Sequence, residues 1–219
     1  AVRREEEFQG VVAGLPVDLD ARREVELSRR ALVNAVGEIP HGTLLIDLGG
    51  GSLEIERFGI RGISSLPLGS VRLLHRFPAL AKPIRKNALR LILAAVRREL
   101  DHAVRPRRPV PLAVATGGNL VALSRIARDI QSPIPAIDLT RLEPLMFRMA
   151  TMTVQSRAQR FGIRADRAEL IVCGCLVLVA LRDHFGAGTC AVPGTGLREG
   201  VIQELLDTIK TPRYGLVDG

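Results

Sequence analysis

The chain contains few aromatic residues. Its 219 residues include no tryptophan, one tyrosine and six phenylalanines. A hydrophobic core must therefore be built mainly from leucine, valine, isoleucine and alanine. Proteins that bind single-stranded nucleic acid through stacking need exposed rings on which the bases can rest. The composition offers too few rings for this, so we expect no nucleic-acid partner.

Cysteine and long apolar segments are also scarce. The three cysteines are Cys173, Cys175 and Cys190, and no histidine or second cysteine pair lies near them at zinc-site spacing. Buried, unpaired cysteines are typical of a reducing compartment. No run of 18 apolar residues is long enough to span a membrane, and the first residues do not resemble a signal peptide. We therefore expect a cytoplasmic protein without a membrane partner.

Lysine is rare among the basic residues. Only Lys82, Lys86 and Lys210 of the 31 basic residues are lysine, and the formal net charge is +8. A basic surface attracts polyanions, so by charge alone nucleic acid, an acidic membrane and polyphosphate are all candidates. Because the arginines are spread along the chain, the excess can equally reflect a general bias toward arginine. The charge alone does not identify a ligand.

The pattern of apolar residues indicates an α/β domain. The nearly continuous apolar segment 43–48 predicts a buried strand. Glycines separate it from two further strand-like segments, and the three together predict a β-meander. Two later segments predict further strands, so the predicted strands are 43–48, 52–58, 59–66, 112–115 and 189–192. Helical spacing of apolar residues predicts most of the remaining elements: 3–13, 22–36, 69–77, 86–104, 119–127, helical stretches near 139–161, 165–185 and 197–206. The brief segment 17–19 resembles a strand end. We expect a mixed five-stranded sheet flanked by helices.

A glycine-rich loop interrupts the meander after its first strand. Asp47 lies at the end of that strand, and Glu54 lies in the next strand on the same face as Ser52. The loop between the strands consists of Gly49, Gly50, Gly51 and Ser52. Bare N–H groups of such a loop can surround an anion, and oxygen ligands suit Mg²⁺. The pattern predicts a phosphate loop with a metal ion held by Asp47 and Glu54. A tight hairpin turn with a capping aspartate is the alternative.

A second glycine turn follows a later strand. Gly117 and Gly118 come directly after the predicted strand 112–115 and open a helix. Backbone N–H groups at a helix N-terminus attract anions, so this turn is a candidate second contact to phosphate. A plain strand-to-helix turn would have the same sequence.

Four segments resemble, in order, those of the Ppx/GppA phosphatases. They are IDLGGGSLEI at 46–55, SLPLGSVRL at 65–73, ATGGN at 115–119 and GLREGV at 196–201. This family belongs to the superfamily of sugar kinases, heat-shock chaperones and actin. The resemblance implies a ribonuclease-H-like, actin-type fold. It also implies three parts, which are a remnant of the first lobe at 1–20, the second, phosphate-binding lobe at 21–210 and a tail at 211–219.

The resemblance also implies an activity. Such enzymes use Mg²⁺ to release terminal phosphate from polyphosphate or guanosine pentaphosphate, and a glutamate on a helix before the phosphate loop activates the attacking water. Glu24, 23 residues before Asp47, resembles that glutamate. A solvated carboxylate in an i, i+4 pair is the alternative. Arg3 resembles a phosphate-gripping arginine of the first lobe, and a plain surface arginine is the alternative.

The resemblance does not extend to the family's first phosphate loop, D-x-G-S-N-S, which has no counterpart in this sequence. The expected partners are therefore polyphosphate or guanosine pentaphosphate together with a missing first lobe, and a homodimer stays open. Catalysis in such enzymes needs a cleft between two lobes, so we expect these residues alone to be nearly inactive. A non-catalytic ATP- or phosphate-binding module, similar to actin or a chaperone lobe, is the alternative function, and it would not need Glu24.

Overall fold

The computed structural model describes residues 21–37, 39–104, 109–195 and 200–202. In this part of the chain the strands are β1 (Leu44–Leu48), β2 (Leu53–Arg57), β3 (Ile63–Leu66), β4 (Ala113–Thr116), β5 (Ala136–Asp138) and β6 (Thr189–Ala191). The helices are α1 (Ala21–Val36), α2 (Ser70–Arg76), α3 (Lys86–Ala103), α4 (Gly118–Ile126), α5 (Leu142–Ala150), α6 (Val154–Phe161) and α7 (Ala165–Phe185). Pro78–Ala81 forms a short 3₁₀ helix.

The strands form one mixed sheet in the order β3-β2-β1-β4-β6-β5. The first three are antiparallel neighbours and form the predicted meander. β4 is parallel to β1 and to β6. The mixed sheet flanked by helices is confirmed, but it has six strands, not the five that we predicted. The sequence gives no strand signal for β5, because Pro133 and Pro135 precede it and its three residues are too few to show alternation.

Helix α7 forms the centre of the larger core. All residues from 171 to 181 are buried, so this helix has no polar stripe facing solvent. Helices α3, α4, α5 and α6 pack against it. The sheet contributes Leu44, Ile46 and Leu48 of β1 to the same core. No helix in the described ranges is both long enough and apolar enough to cross a membrane.

The cysteines are buried and unpaired, as the sequence predicted. Burial raises the pKa of Cys173 to about 12 and that of Cys190 to about 12. Thiols with such pKa values stay protonated at neutral pH, and a protonated thiol is a poor nucleophile and a poor metal ligand. They therefore serve as small apolar core residues.

Helix α1 covers the opposite face of the sheet. Successive side chains of a strand point to opposite faces, so Leu45 and Asp47 lie on the side away from α7. On that side Leu45 packs with Leu32 of α1 and Val114 of β4 in a smaller apolar cluster. The carboxylate of Asp47 therefore belongs to the α1 side of the sheet.

The predicted helical stretches near 139–161 form two helices. Thr153 lies between α5 and α6 and caps the N-terminus of α6. Its hydroxyl accepts a hydrogen bond from the Ser156 amide at 3.1 Å. Such side-chain caps satisfy amides that a helix leaves without partners. The predicted helix 3–13 and strand 17–19 lie outside the described residues, as does most of 197–206, of which 200–202 are helical.

Candidate phosphate-binding site

The loop between β1 and β2 turns its carbonyl groups toward helix α2. The carbonyl of Gly49 accepts from the Ser70 amide at 3.0 Å, and that of Gly50 accepts from the Val71 and Arg72 amides at 2.9 and 3.1 Å. In a planar trans peptide the C=O and the following N–H point in opposite directions, and no cis peptide occurs in the part of the chain that the structure describes. The N–H groups that follow these two carbonyls therefore point away from α2.

These outward amides belong to Gly50 and Gly51. Within the described residues, neither they nor the amide of Ser52 has a hydrogen-bond acceptor, whereas the Gly49 amide bonds to the Ser52 carbonyl at 3.1 Å. Both glycines are exposed. Consecutive N–H groups that point to one side form a concave site for an anion. The loop therefore forms a concave cradle of amides without acceptors among the described residues, unlike a closed hairpin turn with satisfied amides, and phosphate binding by this cradle stays a prediction.

Gly69 fixes the loop in this position. A Cβ atom added at Gly69 would lie 2.4 Å from the Gly50 carbonyl oxygen and 2.4 Å from the Ser52 amide nitrogen. Any side chain at this position would therefore displace the loop backbone. This contact explains why the segments 46–55 and 65–73 occur together, since the glycine of the second makes room for the loop of the first.

We predict that Gly69→Ala destabilises the protein and disorders the cradle. The expected loss in unfolding free energy is about 1–3 kcal/mol, as for other overpacked sites, accompanied by weaker binding of inorganic phosphate. Thermal unfolding and phosphate titration measure the two effects. Gly188→Ala is the matched control, because a Cβ at Gly188 meets no atom within 4 Å. Equal stability of the two variants would contradict the role given to Gly69.

The second glycine turn lies beside the first loop. β1 and β4 are parallel, with Asp47 opposite Thr116, so both strands end at the same edge of the sheet. Gly117 has φ +142°, and a Cβ there would lie 2.6 Å from the Leu48 carbonyl oxygen. Gly118 then begins α4, whose first amides have no intrahelical acceptor. The fold thus brings the two predicted glycine motifs together, although Gly117 lies 65 positions after Ser52 in the chain.

The predicted metal ligands face each other across two strands. Asp47 of β1 pairs directly with Glu54 of β2, and residues so placed have Cβ atoms about 4.5–5.5 Å apart. Both side chains are half-buried, and Ser65 donates a hydrogen bond to Glu54 at 3.0 Å. Opposed carboxylates repel each other, and a cation between them removes that repulsion.

This oxygen donor set fits Mg²⁺. Magnesium is commonly held by one or two carboxylates, with water and substrate phosphates completing its shell. The described residues contain no group of three or more metal-ligating side chains, so any ion here would depend on such additional ligands. A small cavity of about 20 Å³ lies between α1 and the sheet, with Asp47, Glu54 and Leu32 in its wall. It has room for one water molecule.

Glu24 lies in α1, and its side chain is outside the described residues. The same helix contacts the acidic face of the sheet, because Arg29 pairs with Glu56 at 3.3 Å. A helix rises about 1.5 Å per residue, so the backbone of Glu24 lies about 7.5 Å before that of Arg29 along the axis. The helix therefore places Glu24 on the same side of the sheet as Asp47. Its role stays a prediction, and Arg3 lies outside the described residues.

Arg167 joins the site from a distant part of the sequence. A Cβ at Gly118 would lie 2.3 Å from a guanidinium nitrogen of Arg167, which belongs to the first turn of α7. The arginine is exposed and covers the N-terminus of α4, where an anion would be attracted. No sequence motif surrounds Arg167, and only the packing of α7 against α4 brings it to the glycine turn.

Comparison with known proteins identifies similar chains. A family model described as the Ppx/GppA phosphatase family matches residues 3–209. The chain is 33% identical over 179 residues to exopolyphosphatase 1 of Mycobacterium tuberculosis, covering 75% of this chain and 51% of that protein. It is 30% identical to exopolyphosphatase 2 of the same species, covering 83% and 61%. A guanosine-5'-triphosphate,3'-diphosphate pyrophosphatase of Aeromonas hydrophila is 26% identical, covering 74% and 34%.

Solved structures show the same fold. A Ppx/GppA family member of Aquifex aeolicus superposes with a TM-score of 0.68 at 24% identity, covering 84% of this chain and 63% of that one. An exopolyphosphatase of Cytophaga hutchinsonii gives 0.66 at 22% identity, covering 86% and 64%. At these identities the likeness establishes the fold alone. The chain spans between 34% and 64% of the length of these relatives.

Proposed function

Because the chain belongs to the Ppx/GppA phosphatase family, we propose that it supplies the phosphate-binding lobe of a phosphoanhydride hydrolase. The substrate would be polyphosphate or guanosine pentaphosphate, and the product would be its terminal phosphate. One observation carries this proposal, namely the outward amides of Gly50 and Gly51 beside the opposed carboxylates of Asp47 and Glu54. The relatives named exopolyphosphatase and guanosine-5'-triphosphate,3'-diphosphate pyrophosphatase support both substrate classes.

The loop amides would stabilise charge on the transferred group. In phosphoryl transfer, negative charge spreads over three oxygens, and catalysis consists mainly of positioning and electrostatic stabilisation. The amides of Gly50, Gly51 and Ser52 would donate to these oxygens, and the N-terminus of α4 at Gly118 would face the next phosphate. A Mg²⁺ ion held by Asp47 and Glu54 would offset the charge. Because the amides are fixed by the bonds to α2, they need not reorganise during the reaction.

Glu24 would act on the nucleophilic water. A carboxylate within hydrogen-bond reach of water can orient it and accept its proton. Helix α1 lies on the face that carries Asp47, so a water held near that face is within range of the helix. The rate contribution proposed for Glu24 is tested separately below.

The metal site gives the direct test of the proposed function. We expect Asp47→Asn in the complete protein to raise the Mg²⁺ concentration for half-maximal phosphate release by roughly tenfold or more, because even outer-shell changes weaken metal binding by that factor. Phosphate release from polyphosphate and from guanosine pentaphosphate is measured across a Mg²⁺ titration. Glu56→Gln is the matched control on the adjacent strand, since Glu56 pairs with Arg29. Identical titration curves for all three proteins would reject the proposed site.

We expect the 219 residues alone to bind phosphate weakly and to turn over little substrate. The chain spans 51% of the length of exopolyphosphatase 1 of Mycobacterium tuberculosis, and a cleft with two walls excludes water better than an exposed face does. Isothermal titration with phosphate and a turnover assay on the same sample distinguish binding from catalysis. Rapid turnover by these residues would reject the two-lobe interpretation.

A further inference from the structure

A basic groove lies between the end of α4 and helix α5, away from the glycine loops. It has a volume of about 530 Å³, and its wall contains Arg128, Arg141 and Arg148. Ile126 and Leu145 contribute apolar surface to the same groove. Three guanidinium groups around one concavity form a field that attracts anions.

Two of the three arginines have no acidic partner among the described residues. Arg128 and Arg148 form no ion pair there, although Arg148 lies 5.9 Å from the centre of the Phe161 ring. Arg141 approaches Asp138 at 3.3 Å, but its own side chain is 85% exposed and can contact a ligand as well. Hydrogen bonds from Thr140 lower the pKa of Asp138, so this single carboxylate is ionised at neutral pH. The three arginines therefore keep a net positive charge.

Helix α4 connects this groove to the glycine turn. The helix begins at Gly118, beneath Arg167, and its last turn carries the exposed Arg125. Its sequence from Gly118 to Ile126 contains no acidic residue. The helix is about 12 Å long from Gly118 to Ile126, because each residue of an α-helix adds about 1.5 Å. An extended polyanion that starts at the glycine turn can follow α4 without meeting a carboxylate on that helix.

We propose that this groove binds the distal phosphate units of a polyphosphate chain whose terminal phosphate lies in the glycine loop. The proposal rests on the function proposed above and names polyphosphate as the substrate class that uses this surface. Tripolyphosphate is too short to occupy both places, because it has only three phosphate units. The groove would therefore increase affinity for long chains and leave the affinity for short ones unchanged.

The test compares two triple variants of equal charge. In the first, Arg128, Arg141 and Arg148 are changed to Gln. In the control, Arg85, Arg90 and Arg98 are changed to Gln, because these residues are also exposed but lie at the start of α3 or within it. Binding of long-chain polyphosphate and of tripolyphosphate is measured directly for both variants and the original protein, at several salt concentrations.

We expect the groove variant to bind long-chain polyphosphate roughly tenfold more weakly, since three exposed charge contacts are lost. The slope of log affinity against log salt should fall by roughly 1 per lost contact, as in complexes with nucleic-acid phosphates. Tripolyphosphate binding and the control variant should be unchanged. Equal losses in both triple variants, or equal losses for both ligands, would overturn the proposal. If no substrate released phosphate, the proposed hydrolase function would be rejected. The groove proposal would stand, because polyphosphate binding is measured without turnover.

Discussion

Glu24→Gln in the complete protein is expected to lower the rate of phosphate release from polyphosphate by roughly 10²–10⁴-fold, the usual contribution of a general base. Glutamine has nearly the same shape and can still orient water, but it cannot accept the proton. The orientation of the loop amides depends on hydrogen bonds between the loop carbonyls and α2. We therefore expect substrate affinity to change little, and a steady-state assay should show a loss confined to the rate.

The matched control is Glu26→Gln, in the same helix and exposed to solvent. It removes the same charge two residues away, so a general electrostatic effect would lower both rates equally. An undiminished rate with Glu24→Gln would remove Glu24 from the mechanism. Two results together would favour the non-catalytic module. The complete wild-type protein would bind ATP without hydrolysing any phosphoanhydride, and ATP binding would persist after Glu24→Gln.

Arg157→Ala is expected to cost about 3–5 kcal/mol of unfolding free energy, because three buried carbonyl groups lose their donors and a cavity is left. The Arg157 side chain is fully buried. Its guanidinium donates to the carbonyls of Met149 at 2.9 Å, Ala168 at 3.2 Å and Leu80 at 3.1 Å. These bonds join the end of α5, the first turn of α7 and the 3₁₀ helix. Chemical denaturation measures the loss.

The charge of Arg157 is balanced without a carboxylate among the described residues. Burial lowers its pKa, and the nearby thiol of Cys173 is protonated at neutral pH. The dipoles of the three carbonyl groups balance the positive charge instead. The carbonyl of Met149 lies at the C-terminal, negative end of α5. Ala168 directly follows Arg167 in α7. The hydrogen bond from Arg157 to the Ala168 carbonyl therefore also fixes the turn of α7 from which Arg167 reaches Gly118.

Two further variants separate the causes of this loss. Arg157→Met fills the volume but supplies no donor, so we expect it to retain most of the destabilisation, about 2–3 kcal/mol. Arg160→Ala, on the exposed side of the same helix, should change stability by no more than about 0.5 kcal/mol. If Arg157→Met were as stable as the original protein, packing and not hydrogen bonding would explain the burial of this arginine.

Local sequence was a reliable guide to the glycine loop and the meander. Strand alternation places Asp47 on one face of β1, and the short loop makes the next strand antiparallel, with Glu54 opposite Asp47. Both properties depend on residues close together in the chain. β5 was missed because three residues after a proline-containing loop carry too little pattern, and its position depends on pairing with β6.

The positions of Arg167 and Arg157 could not be predicted from neighbouring residues. Arg157 belongs to a helix with other polar residues and would be expected on the surface. It is buried because three separate elements present carbonyls to one point. The same packing of helices on α7 places Arg167 over Gly118.

The sequence by itself determined the order of the elements other than β5, the position of the glycine loop and the family, because each depends on short segments whose backbone requirements are local. Only the tertiary structure decided that the loop amides face outward and that the two glycine turns adjoin. Those features depend on hydrogen bonds from α2 to the loop, on the close approach of Gly69 to the loop and on the close approach of Gly117 to β1. Such contacts join residues that are distant in sequence, and periodicity carries no information about them.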